Sequence, residues 1–178
     1  ASDYYSPSSE SRTRVANQNL KGTIFKDDQG QFKDIDYIII TPNFLKSQAE
    51  KLANFHRTDS QLNVKVVTLE SIYQEFAAGK QDVAAIRNFI KYVYFNASAD
   101  DKRVKYVNLF GDASYDYKNR ITGNTNLVPV SETNESLSKT EGYCTDDFFG
   151  FLDDNEDLNI FGGTQINMLD IGIGRIPA

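Results

Sequence analysis

The chain is poor in the two side chains that most often build cross-links and nucleophile–base pairs. It contains one cysteine and one histidine in 178 residues. One cysteine cannot form an internal disulfide, so a disulfide-stapled fold is excluded. The compartment is not decided by this, because secreted domains of this size also fold without bridges.

Long apolar runs and a basic face are absent as well. No stretch approaches the ~18 consecutive apolar residues that a membrane-spanning helix needs. The start carries no charged-then-apolar leader, so we expect that any export signal was removed or never included. The net charge is −6, with Lys and Arg scattered. Because nucleic-acid binding normally requires a basic face, we expect no nucleic-acid partner.

What is present is a globular composition. Hydrophobic residues make up 40% of the chain and aromatics 12%, enough to bury a core in one domain of ordinary size. The Ser-rich start reads as an exposed segment over residues 1–24. Residues 25–178 are predicted to form the packed domain.

Aliphatic runs alternate with amphipathic segments up to residue 110. The predicted elements are strand 34–42, helix 43–57, strand 62–69, helical turn 71–80, helix 83–96 and strand 104–110. Thr41 or Asn43 is expected to cap the first helix, Asp82 caps the third, and Gly79 ends the helical turn. This alternation predicts an α/β fold with a parallel sheet, covering helices and right-handed crossovers. A polar region follows to residue 165, before a last strand within 167–177.

An abrupt strand end at "LFGDASYD" places two aspartates beyond Phe110. Ligands of open parallel sheets bind outside the carboxyl ends of the strands, so Asp112 is a candidate to face a crevice, joined by Asp116. The alternative is that Asp112 accepts hydrogen bonds from the backbone of its own turn.

The segment 144–157, "CTDDFFGFLDDNED", carries six acidic side chains. Flexible acidic loops can ligate calcium, and Asp153, Asp154 and Asp157 are the candidate ligands. The spacing does not fit an EF-hand, and the alternative is a solvated acidic turn between strands. Asp146 and Asp147 precede aromatic residues, so at least one is expected to point into structured surroundings.

Two further patterns suggest a nucleotide-binding loop and a Cys–His dyad, but neither fits the requirements of that function. "GIGR" at 172–175 lacks the third glycine of a dinucleotide-binding loop, so its glycines are expected to relieve crowding within a strand. Cys144 and His56 supply the residue types of a cysteine peptidase dyad. His56 falls in the last turn of a predicted helix, where its charge suits the helix dipole. Two singletons so far apart in sequence do not make a dyad.

Six motifs follow one another in the chain: "VANQNLKG", "DYIIITPNFLKSQAEKLANFHR", "DVAAIRNFIKYVYFNA", "YVNLFGDASYDYKNR", "TDDFFGFLDDNED" and "LDIGIGRIP". Together and in this order they resemble those of gingipain-like cysteine peptidases, in particular the PorU-type sortases of the type IX secretion system. The resemblance runs from about residue 15 to residue 177, and "LFGDASYDYKNR" is its most specific part.

The resemblance implies a caspase-like α/β sandwich of helices on a sheet, incomplete in this chain. It implies an exported protein at the cell surface or outer membrane of a Gram-negative, Bacteroidetes-type bacterium. Such sortases remove the C-terminal sorting domains of secreted cargo and transfer the new carboxyl end to an anionic lipopolysaccharide through cysteine acyl transfer. No cofactor is required, and calcium is the candidate ion. The implied partners are cargo, other type IX components, and either the missing C-terminal half or a second copy.

The resemblance also implies that the nucleophile and base lie beyond Ala178, so no catalytic residue is assigned here. Asp146, Asp147 or Asp170 is expected to orient the catalytic histidine, and the choice among them stays open. Asp112, Tyr115 and Asp116 are expected to shape the rim of the peptide-binding site. The rival interpretations are a non-catalytic peptide-binding domain, a calcium-binding surface module, and a hydrolase using His56 and Cys144.

Overall fold

The computed structural model describes residues 17–118, 120–133, 138, 142–156 and 168–177. Its elements are named here in chain order. The strands are β1 Tyr37–Thr41, β2 Val64–Thr68, β3 Tyr106–Phe110, β4 Ser131–Glu132, β5 Cys144–Thr145 and β6 Gly172–Ile176. The α-helices are α1 Leu20–Thr23, α2 Lys46–Thr58, α3 Leu69–Phe76 and α4 Val83–Phe95.

Four strands form a parallel sheet in the order β2-β1-β3-β6. In the middle of the sheet, Ile39 of β1 is paired with Val66 of β2 and with Asn108 of β3. Asn108 is in turn paired with Gly174 of β6. A separate antiparallel pair, β4-β5, lies in the polar region that follows β3. This architecture confirms the predicted α/β fold with a parallel sheet and covering helices.

The three consecutive isoleucines of β1 explain why this strand lies at the centre. Ile38, Ile39 and Ile40 are each fully buried. Because side chains alternate across a strand, Ile38 and Ile40 join the cluster that contains α3 and α4, while Ile39 packs with Ala49 and Ala53 of α2. The sheet is therefore covered by α3 and α4 on one face and by α2 on the other.

Helix α4 follows its sequence signals closely. The Asp82 carboxylate accepts the Ala84 N–H at 2.8 Å, which confirms the predicted cap. The apolar side chains spaced along one helix face are all buried in the main core: Ile86, Phe89, Ile90 and Val93. Their burial fixes the helix against the sheet.

The predicted cap of the first long helix is wrong. A 3-10 turn over Asn43–Leu45 precedes α2, and neither it nor α2 has a side-chain cap. The N–H of Asn43 instead donates to the Glu70 carboxylate, and the Thr41 hydroxyl donates to the Phe110 carbonyl. Tertiary partners therefore satisfy the groups that local capping was expected to satisfy.

The helical turn after β2 ends as predicted, at a glycine. Helix α3 stops at Phe76, and Gly79 follows with φ +83°. Its N–H donates to the Tyr73 carbonyl at 2.8 Å, closing the last turn. A left-handed glycine at this position is a common helix stop, since it carries no Cβ.

The predicted exposed segment reaches only partly into the described chain. Residues 1–16 lie outside the described residues, and residues 17–19 are exposed. Asn19 then caps α1 by accepting the Gly22 N–H, and Ile24 is 4% exposed in the main core. Leu20 and Ile24 therefore pack with the core, and the boundary at residue 24 stays a prediction.

The polar region after β3 is anchored by a few apolar side chains. Val128, Phe149 and Leu152 are fully buried in the main core. The Arg87 guanidinium on α4 donates to the Phe151 carbonyl at 2.6 Å, which ties this region to the helix layer. Among the helices described here, none is both long and apolar enough to span a bilayer.

Candidate functional site

The chain leaves β3 through a turn that only glycine accommodates well. Gly111 has φ +147°, and a Cβ there would lie 2.9 Å from a Val128 methyl carbon and 3.2 Å from the Leu127 Cβ. Its N–H donates to the Ile176 carbonyl at 2.9 Å. The turn therefore sits tightly between the end of β6 and the segment that contains Val128.

Asp112 lies directly beyond this turn and is half-buried. Its backbone carbonyl accepts the N–H groups of Leu127 and Val128 at 3.0 and 2.9 Å. No hydrogen bond or ion pair from another described residue reaches its carboxylate. The main chain of Asp112 is thus fixed by the fold while its side chain is left to interact with something else.

Asp116 plays the local role that was the alternative for Asp112. It is 8% exposed, and its carboxylate accepts the Ile121 N–H at 2.6 Å. Its carbonyl accepts the Asn124 amide at 2.7 Å, and its N–H donates to the Ser114 hydroxyl. Asp116 therefore organises the loop 112–124, the behaviour expected of aspartate in a turn.

A shallow recess of about 440 Å³ opens beside this loop. Tyr115 stands at its margin with 68% of its side chain exposed, and Ser114, Thr125 and Cys144 are among the lining residues. An exposed aromatic ring beside hydroxyl and thiol groups suits a peptide, which offers apolar side chains and amide groups together. The predicted rim residue Tyr115 is thus at a recess, and Asp112 is close to it in sequence.

Arg175, near the end of β6, binds the converging loops together. Its guanidinium pairs with both carboxylate oxygens of Asp146, at 2.9 Å from Nε and 2.7 Å from Nη2. The same group donates to the carbonyls of Gly111 and Val128 at 2.9 and 2.8 Å. The two side chains are only 14% and 22% exposed. This bidentate pair locks the β3, β4 and β5 loops to the sheet edge.

The sequence pattern of β6 does not reveal this role of Arg175. For "GIGR" it predicts glycines that relieve crowding within a strand. Crowding relief applies to Gly172, where a Cβ would lie 3.1 Å from the Tyr106 ring, but Gly174 has open space around the same position. No local signal indicates this role, because the residues on either side, Gly174 and Ile176, are exposed.

The three candidate acids occupy different surroundings. Both oxygens of Asp146 are committed to Arg175. Asp147 is exposed, and its N–H donates to the Thr145 hydroxyl at 3.1 Å. Asp170 precedes β6 at the amino end of the sheet, where its carboxylate accepts the Leu152 N–H at 2.8 Å. Of the three, Asp147 is the one whose carboxylate no described residue binds.

Cys144 and His56 are not brought together. Cys144 lines the recess at the carboxyl edge, whereas His56 lies near the amino ends of the strands, with its ring 5.1 Å from that of Tyr37. Loss of solvent raises the pKa of the Cys144 thiol, and the carboxylates of Glu132 and Asp146 raise it further. A thiol with a raised pKa is a poor nucleophile, and no imidazole is near to activate it.

The acidic segment shows local pairing instead of a cluster. Asp154 forms an ion pair with Lys91, and this contact lowers the pKa of its carboxyl group. The Asp153 N–H donates to the Glu156 carboxylate at 2.9 Å. Asp157, the third predicted calcium ligand, lies outside the described residues. In the part of the chain that is described, no group of three or more acidic, His or Cys side chains could hold a metal ion.

The chain therefore folds as an α/β domain with an open parallel sheet, and several of its loops converge at the carboxyl ends of the strands. The model of peptidase family C25, the gingipain family, matches residues 31–178, and the chain belongs to that family. It is similar to a solved structure described as dimeric latent PorU from Porphyromonas gingivalis, with 28% identity and a TM-score of 0.68. The match covers 92% of this chain and 15% of the PorU chain. No curated protein matches it.

These findings confirm the interpretation of the sequence as a gingipain-like, PorU-type fragment. The chain spans less than a sixth of the PorU chain it resembles.

Proposed function

We propose that these residues form part of a type IX secretion sortase, a cysteine peptidase that removes C-terminal sorting domains from secreted cargo at the bacterial cell surface. The nucleophilic cysteine and the histidine base come from polypeptide outside these residues. The family match and the likeness to PorU support the peptidase class. The sortase role, the cell-surface location and the association with other type IX components rest on that likeness.

One observation supports a substrate-binding role for these residues. The loops at the carboxyl edge of the sheet are held in place, while the carboxylate of Asp112 has no partner among the described residues. Arg175 and Asp146 hold the loops, Asp116 holds the turn, and the Asp112 carboxylate is left without a protein partner among the described residues. Rigid backbone around an unpaired carboxylate is the arrangement expected of a substrate rim. We assign Asp112 and Tyr115 to contact with the cargo peptide and Asp116 to support of the loop.

The free edge of β6 is a second surface for association. Its backbone pairs with β3 on one side, and within the described chain no strand pairs with the other side. Unpaired N–H and C=O groups on such an edge bind another strand readily. The partner is the rest of the peptidase or a second copy.

The test uses the longest natural form of the protein that contains these residues, incubated with a cargo protein bearing a sorting domain. We expect cleavage that thiol alkylation abolishes. The variant Cys144→Ser should retain cleavage and remain sensitive to alkylation, because the nucleophile lies elsewhere. Loss of cleavage in Cys144→Ser would overturn this assignment and favour the hydrolase that uses His56. Absence of cargo cleavage would overturn the sortase role.

Calcium at Asp153, Asp154 and Asp157 stays a prediction. Calorimetry on the chain should show binding that is lost when all three are changed to asparagine. Binding that survives the triple change, or no binding at all, removes calcium from the account.

A further inference from the structure

The sheet has two outer strands, β2 and β6. Within the described chain, no strand pairs with the outer side of either one. A free strand edge carries backbone N–H and C=O groups that readily bind a strand of another molecule, unless side chains block them. The two edges therefore decide how many other strands the sheet accepts, and β2 carries a side chain that bears on this.

The first outward-facing carbonyl of β2 belongs to Val64. Along a strand in a parallel sheet, the backbone groups of successive residues point alternately toward the neighbouring strand and away from it. The Asn63 carbonyl accepts the N–H groups of Asp36 and Tyr37 at 3.0 and 3.3 Å, so it points toward β1. The Val64 carbonyl consequently points to the free edge.

Arg57, in the last turn of α2, covers this carbonyl. Its Nε and Nη2 atoms donate to the Val64 oxygen at 3.1 and 2.7 Å. Its Nη1 atom donates to the Glu50 carboxylate at 2.9 Å and to the Asn54 side-chain oxygen at 2.7 Å. Two side chains of its own helix therefore hold the guanidinium in place, with two N–H groups directed at one strand carbonyl.

The guanidinium occupies the place that a pairing strand would need. Neighbouring strands lie about 4.8 Å apart, and a strand amide that binds a carbonyl has its nitrogen about 2.9 Å from the oxygen. The two Arg57 nitrogens already lie at such distances from the Val64 oxygen. A strand therefore pairs with β2 at this point only if Arg57 moves away and gives up both hydrogen bonds.

Positive charge near the same strand adds a second obstacle. The Lys65 ammonium group donates to the Lys26 carbonyl at 2.6 Å. Partial burial lowers the pKa of Lys65, and the carboxylate of Asp28 opposes this. Arg57 and Lys33 lower the pKa further, so these cations lie close enough to affect one another. Two β2 edges laid side by side would bring both sets of cations together, which costs free energy.

We propose that Arg57 closes the β2 edge to strand pairing, so that another strand extends the sheet of this chain only at β6. Two copies that pair through β6 then form a dimer without an open edge, because both outer strands of the joined sheet are closed β2 strands. Without the closure, each chain would offer two open edges, and copies would add without limit. The proposal rests on the proposed function only in taking the free β6 edge as a surface for association.

The test is the size distribution of the 178-residue chain, measured by sedimentation velocity over a wide range of concentration. The wild type should form nothing larger than a dimer. Arg57→Met removes the guanidinium and keeps an unbranched stem, so it should form larger species than the wild type at the same concentration and lose them on dilution. Lys102→Met is the matched control, because it removes one positive charge from an exposed side chain outside the sheet. It should behave as the wild type does.

Hydrogen exchange locates the new contact. By the alternation along β2, the Val66 N–H points to the same free edge as the Val64 carbonyl. In the larger species of Arg57→Met this N–H should exchange more slowly than in the wild type, because a second strand binds it. Unchanged exchange at Val66 would place the contact elsewhere and overturn the proposal.

Three results of the size measurement would also overturn it. Species larger than a dimer in the wild type would show that β6 is not the single open edge. Equal sizes for Arg57→Met and the wild type would show that the guanidinium does not close β2. Larger species in Lys102→Met would trace them to the change in net charge. Cargo takes no part in these measurements, so any of these results leaves the sortase role intact, and absence of cargo cleavage leaves the closure of β2 intact.

Arg57→Lys gives a second variant in case Arg57→Met fails to fold. Lysine keeps the charge and the helix propensity, but it presents one ammonium group to the edge instead of a planar fork. It should also form larger species than the wild type. A size distribution identical to that of the wild type would show that charge alone closes the edge, and the assigned role of the two-point contact would be wrong.

Discussion

Asp146 and Arg175 lie 29 positions apart in the chain and form a two-point ion pair at the carboxyl edge of the sheet. The N–H groups of the Arg175 guanidinium donate to the Asp146 carboxylate and to three loop carbonyls, those of Gly111, Val128 and Pro129. The pair therefore holds this edge together in the folded state through charge-assisted hydrogen bonds. The shape of the proposed peptide rim depends on it.

Breaking this pair from one side should destabilise the domain strongly. Asp146→Asn leaves a mostly buried guanidinium without its counter-charge, and we expect a loss of about 2–3 kcal/mol in the free energy of unfolding. Urea denaturation measures it. Asp100→Asn is the control, because the Asp100 side chain is 90% exposed in its ion pair with Arg103, and such pairs contribute about 0–1 kcal/mol. Equal losses of unfolding free energy in the two variants would show that the Asp146–Arg175 pair stabilises the domain no more than an exposed ion pair does.

The glycine at the end of β3 should tolerate no side chain. Gly111→Ala places a Cβ 2.9 Å from a Val128 carbon at a positive φ, so we expect a loss above about 1 kcal/mol and a weakened rim. Gly123→Ala is the control, since Gly123 has φ +78° but open space around the Cβ position. A smaller loss at Gly111 than at Gly123, measured by urea denaturation, would contradict the tight turn.

The thiol of Cys144 should react slowly at neutral pH. Its pKa is raised by loss of solvent and then by Glu132 and Asp146, so alkylation, which requires the thiolate, should reach half its maximal rate above the pH of an ordinary thiol. Glu132→Gln removes one carboxylate and should move that midpoint down. Asp154→Asn is the control. It removes the carboxylate that pairs with Lys91, which does not act on Cys144, so the midpoint should stay unchanged. A midpoint below that of a free thiol would contradict the described surroundings.

The packing of α4 on the sheet should be essential for folding. Phe89 is fully buried and its ring meets Phe76 edge-on, with 5.8 Å between centroids. Phe89→Ala should lower the free energy of unfolding by about 3–5 kcal/mol. Phe95→Ala on the same helix is the control, because Phe95 is 46% exposed and should cost much less. Comparable costs would contradict the assigned helix face.

The parts of the fold that sequence predicts are those whose cause is local. Three adjacent isoleucines require burial on both faces, and Asp82 before an amphipathic run begins α4. The site depends on contacts between distant residues. The capping of α2 was mispredicted because Glu70, far along the chain, binds the Asn43 N–H. No local pattern indicates that Asp146 meets Arg175.

The identity of the turn aspartate shows the same limit. The sequence placed Asp112 and Asp116 in one loop as candidates to face the crevice, and it offered the backbone role as an alternative for Asp112 only. Only the path of the loop back to Ile121 and Asn124 decides that Asp116 does so. The family resemblance was confirmed because it rests on several motifs in a fixed order along the chain. The role of a single residue depends instead on which distant residues it contacts.

The most direct test of the peptide rim is the kinetics of cargo cleavage by the longer peptidase carrying Asp112→Asn. The account predicts a fall of about tenfold or more in kcat/KM, since a carboxylate that contacts substrate is neutralised while the backbone around it is unchanged. Asp28→Asn, on an exposed turn, should cleave at the wild-type rate. Wild-type kcat/KM in Asp112→Asn would contradict the claim that this edge of the sheet binds the cargo.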